Sequence, residues 1–566
     1  MIMLASWHPD IVEFVISKMQ NPKILRFIIE NTEDEQIRTL AEQKLKFTPF
    51  SEQEKSDLEM ARSMYLATNN DKEYERVVSM IRDGGRYSVH SPDFLTGANI
   101  SVAITDAFMK AVENDEEYEL QFPDVENYSE KEMDDYNAYW HEVGDVRKWH
   151  LPVKTYRTIK AKELWNLVNI CATYAAEPGI FFIDNANEQT NAQAYGQQVV
   201  ATNPCGEQPL APYSVCNLAA INLANMVDKD AKTVDYDKLR QTVRTGVRMQ
   251  DNVIDSTPYF LEENKTQALG ERRVGLGVMG LADMLIYVGE VYGSESGNKV
   301  VDKVFETIAT EAYRASIELA KEKGSFPFLD EGVDRENYLR FVDSGFMRKM
   351  PTDIVQDILL YGIRNSHLLT VAPTGSTGSL IGVSTGLEPY FAFKYYRSGR
   401  LGKFMEVNAD IVEELGVDPD NLPEEFVTAM ELAPEAHVDV QNTIQRWVDS
   451  SLSKTVNAPK GYSVEQVQAV YERLYKGGAK GGTVYVDGSR DTQVLSLTAE
   501  ENDVAEAPKE ERSIPFEQTV KELGKTSVTY GNEIGNTCPV CREGEVKEIG
   551  GCNTCVNCSA QLKCGL

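Results

Sequence analysis

The chain has 566 residues, of which 42% are hydrophobic, so it is long enough to bury a large core and to form several domains. It carries 88 acidic and 57 basic residues, and the net charge of −31 argues against a broad surface for nucleic acid or anionic membrane. The sequence contains no apolar run of about 18 residues that would predict a membrane-spanning helix, and Met1–His8 lacks the pattern of a signal peptide.

The first region, residues 11–90, is predicted to be mainly helical. Ser51-Glu52-Gln53-Glu54 is a capping-box pattern that opens a helix reaching Tyr65. Further along, helices alternate with short strands: helix Glu163–Ala176, strand Ile180–Asp184, helix Lys299–Lys323 ending at Gly324, and strand Leu368–Ala372. This alternation predicts an α/β fold. Cys171 lies on the first of these helices and is interpreted as a core residue.

Composition divides the chain into three parts. Residues 1–496 are predicted to form the large α/β domain. From 497 to 537 the apolar content falls and acidic residues accumulate, which is typical of a charged flexible linker. Residues 538–566 hold six of the nine cysteines and are predicted to form a separate small module.

The most informative segment is Asn203-Pro204-Cys205-Gly206-Glu207. If its backbone is extended, the amide, the thiol and the carboxylate at alternate positions point the same way. That arrangement would bring a hydrogen-bonding group, a nucleophile or hydrogen-atom carrier, and a general base around one point. Cys216 follows after ten residues and would allow two-electron thiol chemistry there. The alternative interpretation is a buried structural cysteine beside a turn.

A second candidate is the glycine, serine and threonine loop that follows the strand predicted over Leu368–Ala372. Backbone N–H groups in such a loop, together with a helix N-terminus, can bind a phosphate group. The candidate phosphate-binding residues are Pro373, Thr374, Gly375, Ser376 and Thr377. An ordinary strand-to-helix turn is the alternative.

Gly275-Leu276-Gly277-Val278-Met279-Gly280 matches the glycine fingerprint of dinucleotide-binding folds. That fingerprint requires a strand immediately before it. The preceding residues Gly270–Arg273 make a poor buried strand, so a nicotinamide site is disfavoured and is kept only as an alternative.

The C-terminal cysteines contain two Cys-x-x-Cys knuckles, the pattern of a structural zinc ribbon. The first knuckle is Cys538 and Cys541, and the second is either Cys552 with Cys555 or Cys555 with Cys558. We prefer the four ligands Cys538, Cys541, Cys555 and Cys558, which leaves Cys552 and Cys564 free for redox chemistry. Alternatively, all six are structural. Cysteines used in this way indicate a reducing compartment, and we expect a cytoplasmic protein.

Taken together, the motifs resemble the large chain of ribonucleotide reductase, and most closely its adenosylcobalamin-dependent class II. The resemblance rests on Thr202–Leu210 and Cys216–Leu223 and on an ordered set of weaker motifs: His8–Ile11, Gly97–Val102, Gly275–Gly280, Pro373–Thr377, Gly386–Pro389 and Asp487–Arg490. Tyr485–Arg490 and the zinc-ribbon ending favour class II over the tyrosyl-relay and glycyl-radical classes.

This resemblance implies a ten-stranded α/β barrel with the Cys205 segment inside it and adenosylcobalamin as the cofactor. Cys205 would carry a thiyl radical, Glu207 would deprotonate the substrate 3′-hydroxyl, and Asn203 would hold the ribose hydroxyls. Cys216 would provide one of two reducing thiols. Cys552 and Cys564 would relay electrons from a thioredoxin-type reductant. The substrate would be a ribonucleotide, with a diphosphate preferred.

One departure from the family pattern concerns the start of the chain. A complete family member has an effector region, the first barrel strand and a second redox cysteine ahead of the segment matching His8–Ile11. Only Met1–Trp7 precede that segment here. Either a separate N-terminal subunit supplies the missing cysteine, which is the explanation we prefer, or the chain is a fragment. The alternatives are a non-catalytic assembly or regulatory subunit, and a nicotinamide-dependent oxidoreductase.

Overall fold

The computed structural model describes residues 1–68, 70–90, 98–215, 217–398, 404–489, 495–496, 545–549, 552–557 and 561–564. The chain divides into two compact units, Met1–Thr498 and Ala499–Leu566. Within the described ranges, no helix is both long enough and apolar enough to cross a bilayer.

The first third of the large unit mixes short strands with helices. Its elements are β1 (Ile2–Ala5), α1 (Ile11–Ile16), α2 (Pro22–Asn31), α3 (Glu35–Lys44), β2 (Leu45–Pro49), α4 (Glu52–Ala67), α5 (Asp71–Asp83), β3 (Gly85–Val89), β4 (Ile100–Ile104), α6 (Asp106–Asn114), β5 (Glu117–Pro123), α7 (Glu130–Val143), β6 (Val153–Lys160), α8 (Ala161–Ala175), β7 (Gly179–Phe182) and α9 (Ile183–Gln189).

The middle third contains the longest helices. Its elements are β8 (Ala201–Thr202), β9 (Pro209–Leu210), β10 (Leu218–Asn222), β11 (Val227–Asp228), β12 (Thr233–Val234), α10 (Tyr236–Ser256), α11 (Glu262–Glu271), β13 (Gly275–Met279), α12 (Leu281–Val288), α13 (Glu295–Lys323), α14 (Pro327–Asp330), α15 (Glu336–Val342), α16 (Thr352–Tyr361) and α17 (Gly375–Leu380).

The remainder completes the large unit and begins the small one. The large unit ends with β14 (Lys394–Ser398), β15 (Phe404–Asn408), α18 (Asp410–Leu415), α19 (Pro434–Gln445), β16 (Thr455–Ala458), α20 (Val464–Lys476), β17 (Gly481–Val486) and β18 (Leu495–Ser496). The small unit contains an antiparallel sheet of β19 (Val546–Ile549), β20 (Cys552–Cys555) and β21 (Gln561–Cys564).

The central strands form two parallel series that meet in one antiparallel pairing. In the first series β1, β4 and β7 run parallel. In the second series, β10 pairs with β13, and β13 pairs with an extended segment at Leu369–Val371. That segment pairs with Leu452, which lies just before β16, and β16 pairs with β17. β17 joins β7 antiparallel. Among the described residues the path therefore has three strands in one direction and five in the other, with β1 and β10 at its two ends.

Alternation along these strands divides their side chains between two faces, each of which packs in its own apolar cluster. Val102, Ile180 and Val484 belong to a core that also contains the buried residues of α1, α6, α8 and α20. Strand neighbours point to opposite faces, so Ser101 and Gly179 lie on the other side. Met3 and Phe181 lie on that same side and pack in a smaller apolar cluster with Ala186 and Val199.

Several expectations from the sequence are confirmed. The α/β class is correct, and the Ser51 capping box opens α4 with both of its hydrogen bonds to Glu54. The long helix α13 ends at Gly324, and Cys171 is buried on α8. The strand predicted over Leu368–Ala372 is an extended segment with isolated bridges at Leu369 and Val371. The linker predicted over 497–537 lies outside the described residues, and closure of the strands into a barrel stays a prediction.

Candidate active site

The segment that carries Cys205 is a hairpin loop between β8 and β9, which pair antiparallel. We call residues Asn203–Gln208 the thiol loop. The Gly206 N–H donates to the Asn203 carbonyl at 3.0 Å, and Gly206 has φ +83°, a conformation that glycine adopts without strain. The Gln208 N–H donates to Asn203 Oδ1 at 3.0 Å. The expectation of an extended backbone with alternating side chains is therefore wrong, because Pro204 and Gly206 form a turn.

Two residues from the second strand series hold this loop in place. The carbonyl of Glu207 accepts the Ser451 N–H at 2.9 Å and the hydroxyl of Thr370 at 2.5 Å. Ser451 precedes Leu452 and Thr370 lies between Leu369 and Val371, so both donors come from neighbouring extended segments. The backbone behind the thiol is thus anchored to the central strands.

Cys205 itself is exposed at the turn. It lines a pocket together with Ser101, Gly179 and Gly481, which lie on strands of the first series and β17. Partial burial and the nearby Glu207 carboxylate raise the pKa of the Cys205 thiol. The thiol therefore stays protonated at neutral pH, and a protonated S–H is the form from which a hydrogen atom can be removed.

Glu207 is almost fully buried, with 2% of its surface exposed. Burial raises the pKa of its carboxyl group, and hydrogen bonding from the Asn203 side chain offsets part of that effect. Its Oε2 atom has no hydrogen-bond partner among the described residues. A buried carboxylate with a raised pKa and a free oxygen is suited to accept a proton from a substrate.

Cys216 lies outside the described residues, so its predicted redox role stays a prediction. The segment after it is well ordered by side-chain contacts. Asn217 Nδ2 donates to the Gln250 carbonyl at 2.9 Å, and Gln250 Nε2 donates back to the Asn217 carbonyl at 2.7 Å. This pair fixes the start of β10 on helix α10.

The candidate phosphate loop, Pro373–Thr377, includes the first turn of the short helix α17, which begins at Gly375. Thr374 caps this helix in the left-handed conformation, with φ +47°, and its hydroxyl accepts the Gly386 N–H at 2.8 Å. The first N–H groups of a helix have no intrahelical acceptor, so those of Gly375, Ser376 and Thr377 are available to an anion. All three residues are exposed. Within Pro373–Thr377, the positive φ is at Thr374.

Residues Gly275–Met279 of the glycine fingerprint form the buried strand β13. The chain turns only at Gly280, which directly precedes helix α12. A Cβ atom at Gly277 would lie 2.3 Å from the Thr370 carbonyl oxygen. The small residue is therefore needed for close strand packing. The strand-then-glycine-turn context of a dinucleotide site is absent at this segment, so the structure gives the nicotinamide alternative no support.

Lys454 and Glu388 form an ion pair that the sequence alone does not reveal. Lys454 Nζ donates to Glu388 Oε2 at 2.5 Å, and Lys454 lines the pocket around Cys205. The sequence signal for Lys454 is a lysine directly before the short strand β16, and Glu388 belongs to the Gly386–Pro389 motif.

In the small unit, the register of β20 and β21 places Cys552 opposite Cys564. Cys564 therefore belongs to a strand. Cys555 ends β20, and a turn at Val556–Asn557 leads toward Cys558. Cys538, Cys541 and Cys558 lie outside the described residues. Within the part that is described, no cluster of three or more potential ligands could hold a metal ion.

Comparison with known proteins gives consistent matches. Residues 1–485 match the family model described as "Ribonucleotide reductase, barrel domain". A "Vitamin B12-dependent ribonucleoside-diphosphate reductase" of Mycobacterium tuberculosis is 34% identical over 443 residues, covering 74% of this chain and 55% of the relative. The protein of the same name from Thermoplasma acidophilum is 34% identical over 431 residues, covering 72% and 49%.

A more distant match is the "Ribonucleoside-diphosphate reductase large chain" of Cryptosporidium parvum, which is 27% identical over 447 residues and covers 73% of this chain and 54% of the relative. The chain thus spans about half the length of the curated relatives it matches. The family model nevertheless covers the whole region that contains the thiol loop and the phosphate loop. The chain therefore belongs to the ribonucleotide reductase family.

Proposed function

We propose that the chain is the catalytic part of an adenosylcobalamin-dependent ribonucleotide reductase that converts ribonucleoside diphosphates to deoxyribonucleoside diphosphates. The observation that carries the proposal is the exposed, protonated Cys205 on an anchored loop beside Glu207, a buried carboxylate with an unpaired oxygen. The names of the two bacterial and archaeal relatives support the cofactor and the diphosphate substrate.

In this mechanism the Cys205 thiyl radical removes the 3′-hydrogen of the ribose. Glu207 accepts the 3′-hydroxyl proton through its free Oε2, while Asn203 holds the ribose hydroxyls. The 2′-hydroxyl leaves as water, and Cys216 with a second thiol gives two electrons and forms a disulfide. Cys205 returns the hydrogen atom to C3′. The net reaction consumes one ribonucleotide and one dithiol and yields one deoxyribonucleotide, one disulfide and water.

The residues present fit the chemistry that adenosylcobalamin supplies when bound, which is a carbon-centred radical that takes a hydrogen atom from a thiol. Cys205 meets the requirement because it is exposed and its raised pKa keeps the S–H bond intact. Pro204 and Gly206 flank it on the turn and line the same pocket.

The substrate phosphates would bind at Pro373–Thr377. The N-terminus of α17 supplies free N–H groups there. The net charge of −31 gives a polyanionic substrate no general attraction, so this local set of donors has to supply the binding.

A separate N-terminal chain would complete the barrel and supply the thiol that pairs with Cys216. The described strands account for eight of the ten expected, with three in one direction and five in the other. The N-terminal chain would then supply two strands between β1 and β10. The sequence comparison with the family pattern led us to expect one missing strand. Ile2 on β1 and Leu218 on β10 are both exposed, as open strand edges would be.

The small unit would hold structural zinc and relay electrons. Cys538, Cys541, Cys555 and Cys558 would bind Zn²⁺ as four thiolates. Cys552 and Cys564 would form the exchangeable pair, and their opposition across two antiparallel strands is compatible with the Cα separation of a disulfide. A thioredoxin-type reductant would reduce this pair. A chain that depends on free thiols would work in the cytoplasm.

Turnover of matched variants tests the proposal. The full chain with its N-terminal partner, adenosylcobalamin, a ribonucleoside diphosphate and a small dithiol should yield deoxyribonucleotide. Cys205→Ser should lower the rate by about 10⁴-fold or more, since a hydroxyl does not replace a radical-carrying thiol. Cys171→Ala, which changes a buried thiol on α8, should stay active.

The outcomes separate the alternatives. An undiminished rate from Cys205→Ser would exclude the thiyl mechanism at this residue. An inactive parent in the complete mixture would favour the assembly-subunit alternative. Full multiple turnover by this chain alone would refute the need for a partner.

A further inference from the structure

Lys454 is a buried cation whose three N–H donors all have acceptors. Its side chain is fully buried, whereas Glu388 keeps 25% of its side-chain surface exposed. Lys454 Nζ donates to Glu388 Oε2 at 2.5 Å, to His437 Nδ1 at 2.9 Å and to the Thr455 carbonyl at 3.0 Å. Burial and the Lys454 charge lower the pKa of His437 to about 3, so the imidazole is neutral and acts as an acceptor.

One end of this cluster reaches the phosphate loop. Glu388 also accepts the Thr455 N–H through Oε1 at 2.6 Å, which fixes it at the start of β16. Two residues earlier, the Gly386 N–H donates to the Thr374 hydroxyl. Gly386 has φ +51°, and a Cβ there would lie 2.8 Å from the Ala372 carbonyl oxygen. The segment before Glu388 is therefore packed directly on the phosphate loop.

The other end reaches the thiol. Lys454 lines the pocket around Cys205 together with Leu452. Leu452 follows Ser451, whose N–H holds the Glu207 carbonyl. The lysine thus stands on the segment that anchors the thiol loop, while its ammonium group holds the segment that packs on the phosphate loop.

We propose that the Lys454–Glu388–His437 cluster is a positioning element that sets the spacing between the phosphate loop and Cys205. Lys454 acts through Glu388 and has no N–H donor left for a substrate. Its effect is to place the 3′-carbon of a phosphate-anchored ribonucleotide against the thiol. This inference rests on the proposed function, because it concerns the same two subsites.

The test compares Lys454→Met with a control on a neighbouring surface. Arg473→Met removes an exposed ion pair with Asp439, which lies on α19 as His437 does. For each variant, the dissociation constant of a ribonucleoside diphosphate is measured by equilibrium dialysis. Alkylation of Cys205 by iodoacetamide is followed by peptide mass spectrometry with and without that nucleotide. The turnover number and the melting temperature complete the set.

We expect the nucleotide to protect Cys205 from alkylation in the parent and in Arg473→Met. In Lys454→Met the dissociation constant should change by less than about threefold. Protection should be lost and turnover should fall about 100-fold, because the ribose is displaced from the thiol. The double variant Lys454→Met/Glu388→Gln should behave in the same way, which separates lost positioning from the cost of an unpaired carboxylate.

Two results would overturn the inference. Protection and turnover equal to the parent's in Lys454→Met would show that the cluster does not position the substrate. A joint fall of affinity, protection and melting temperature would show that Lys454 only supports the fold. A parent chain that, with its N-terminal partner and adenosylcobalamin present, neither binds the nucleotide nor turns over would instead refute the proposed function, and with it this inference.

Discussion

The thiol loop and the phosphate loop differ in which part of the chain is left free. In the thiol loop the backbone is engaged, since the Glu207 carbonyl takes two donors and Gly206 and Gln208 donate to Asn203. Cys205 is exposed, and Glu207 Oε2 has no hydrogen-bond partner in the part of the chain that is described, so both would be available in the proposed mechanism. In the phosphate loop the Thr374 side chain is engaged instead, and the N–H groups at the start of α17 are free.

This difference shows how each loop would work. Radical and proton transfer depend on individual side-chain atoms, which need a fixed backbone behind them. Anion binding depends on several N–H groups pointing to one place, which needs a fixed backbone shape and tolerates varied side chains. Side-chain substitutions should therefore be most damaging in the first loop, and substitutions that change backbone geometry in the second.

After Cys205→Ser, the largest effect is expected from Glu207→Gln. Turnover should fall by about 10²- to 10⁴-fold, since the amide cannot accept the 3′-hydroxyl proton. The raised pKa of Glu207 also means that the folded state binds this proton more tightly than the unfolded state does. The carboxyl group therefore favours folding only at low pH, and that contribution is lost as the pH rises through the raised value.

At neutral pH, Glu207→Gln should consequently melt at the same temperature as the parent or higher, while losing activity. Calorimetry and turnover assays at pH 7 measure both properties on the same preparation. A variant that loses stability and activity together would show that Glu207 has a structural role. The parent's turnover should rise with pH as this carboxyl group ionises.

A smaller effect is expected in the phosphate loop. Gly386→Ala should weaken nucleotide affinity by about tenfold and lower the melting temperature, because φ +51° strains an alanine and its Cβ would press on the Ala372 carbonyl.

Gly375→Val should weaken affinity without destabilising the fold, since Gly375 has open space around it and no positive φ. There the bulk would only obstruct the anion's approach.

Ser379→Ala is the matched control for both glycine variants. Its hydroxyl donates to the Gly375 carbonyl within α17, and Ser379 lies one helical turn after the first N–H groups. Affinity measured by equilibrium dialysis should stay within about twofold of the parent's. Parent-like binding by Gly375→Val would count against this loop as the phosphate site.

The residues of the candidate site differ in whether the sequence alone could predict them. The identities of Cys205, Glu207 and Asn203 came from a local motif, and Asn-Pro-x-Gly is a turn signal that argues against the extended backbone assumed for it. The contacts that hold the loop were not accessible in this way, because Thr370 is 163 positions from Glu207. Lys454 and Glu388, 66 positions apart, are joined only by folding. Local patterns, such as the Ser51 capping box, were predictable because both partners lie within one turn.

The smallest effect is expected from Ser376→Ala and Thr377→Ala. Both side chains are exposed at the start of α17, and the binding role assigned to these positions belongs to their N–H groups, which alanine retains. Nucleotide affinity should change by less than about twofold for either variant, and melting should be unchanged. Dialysis with a ribonucleoside diphosphate and with inorganic pyrophosphate measures this. A tenfold loss in either variant would show that hydroxyl groups bind the phosphates, and the contrast between a side-chain loop and a backbone loop would no longer hold.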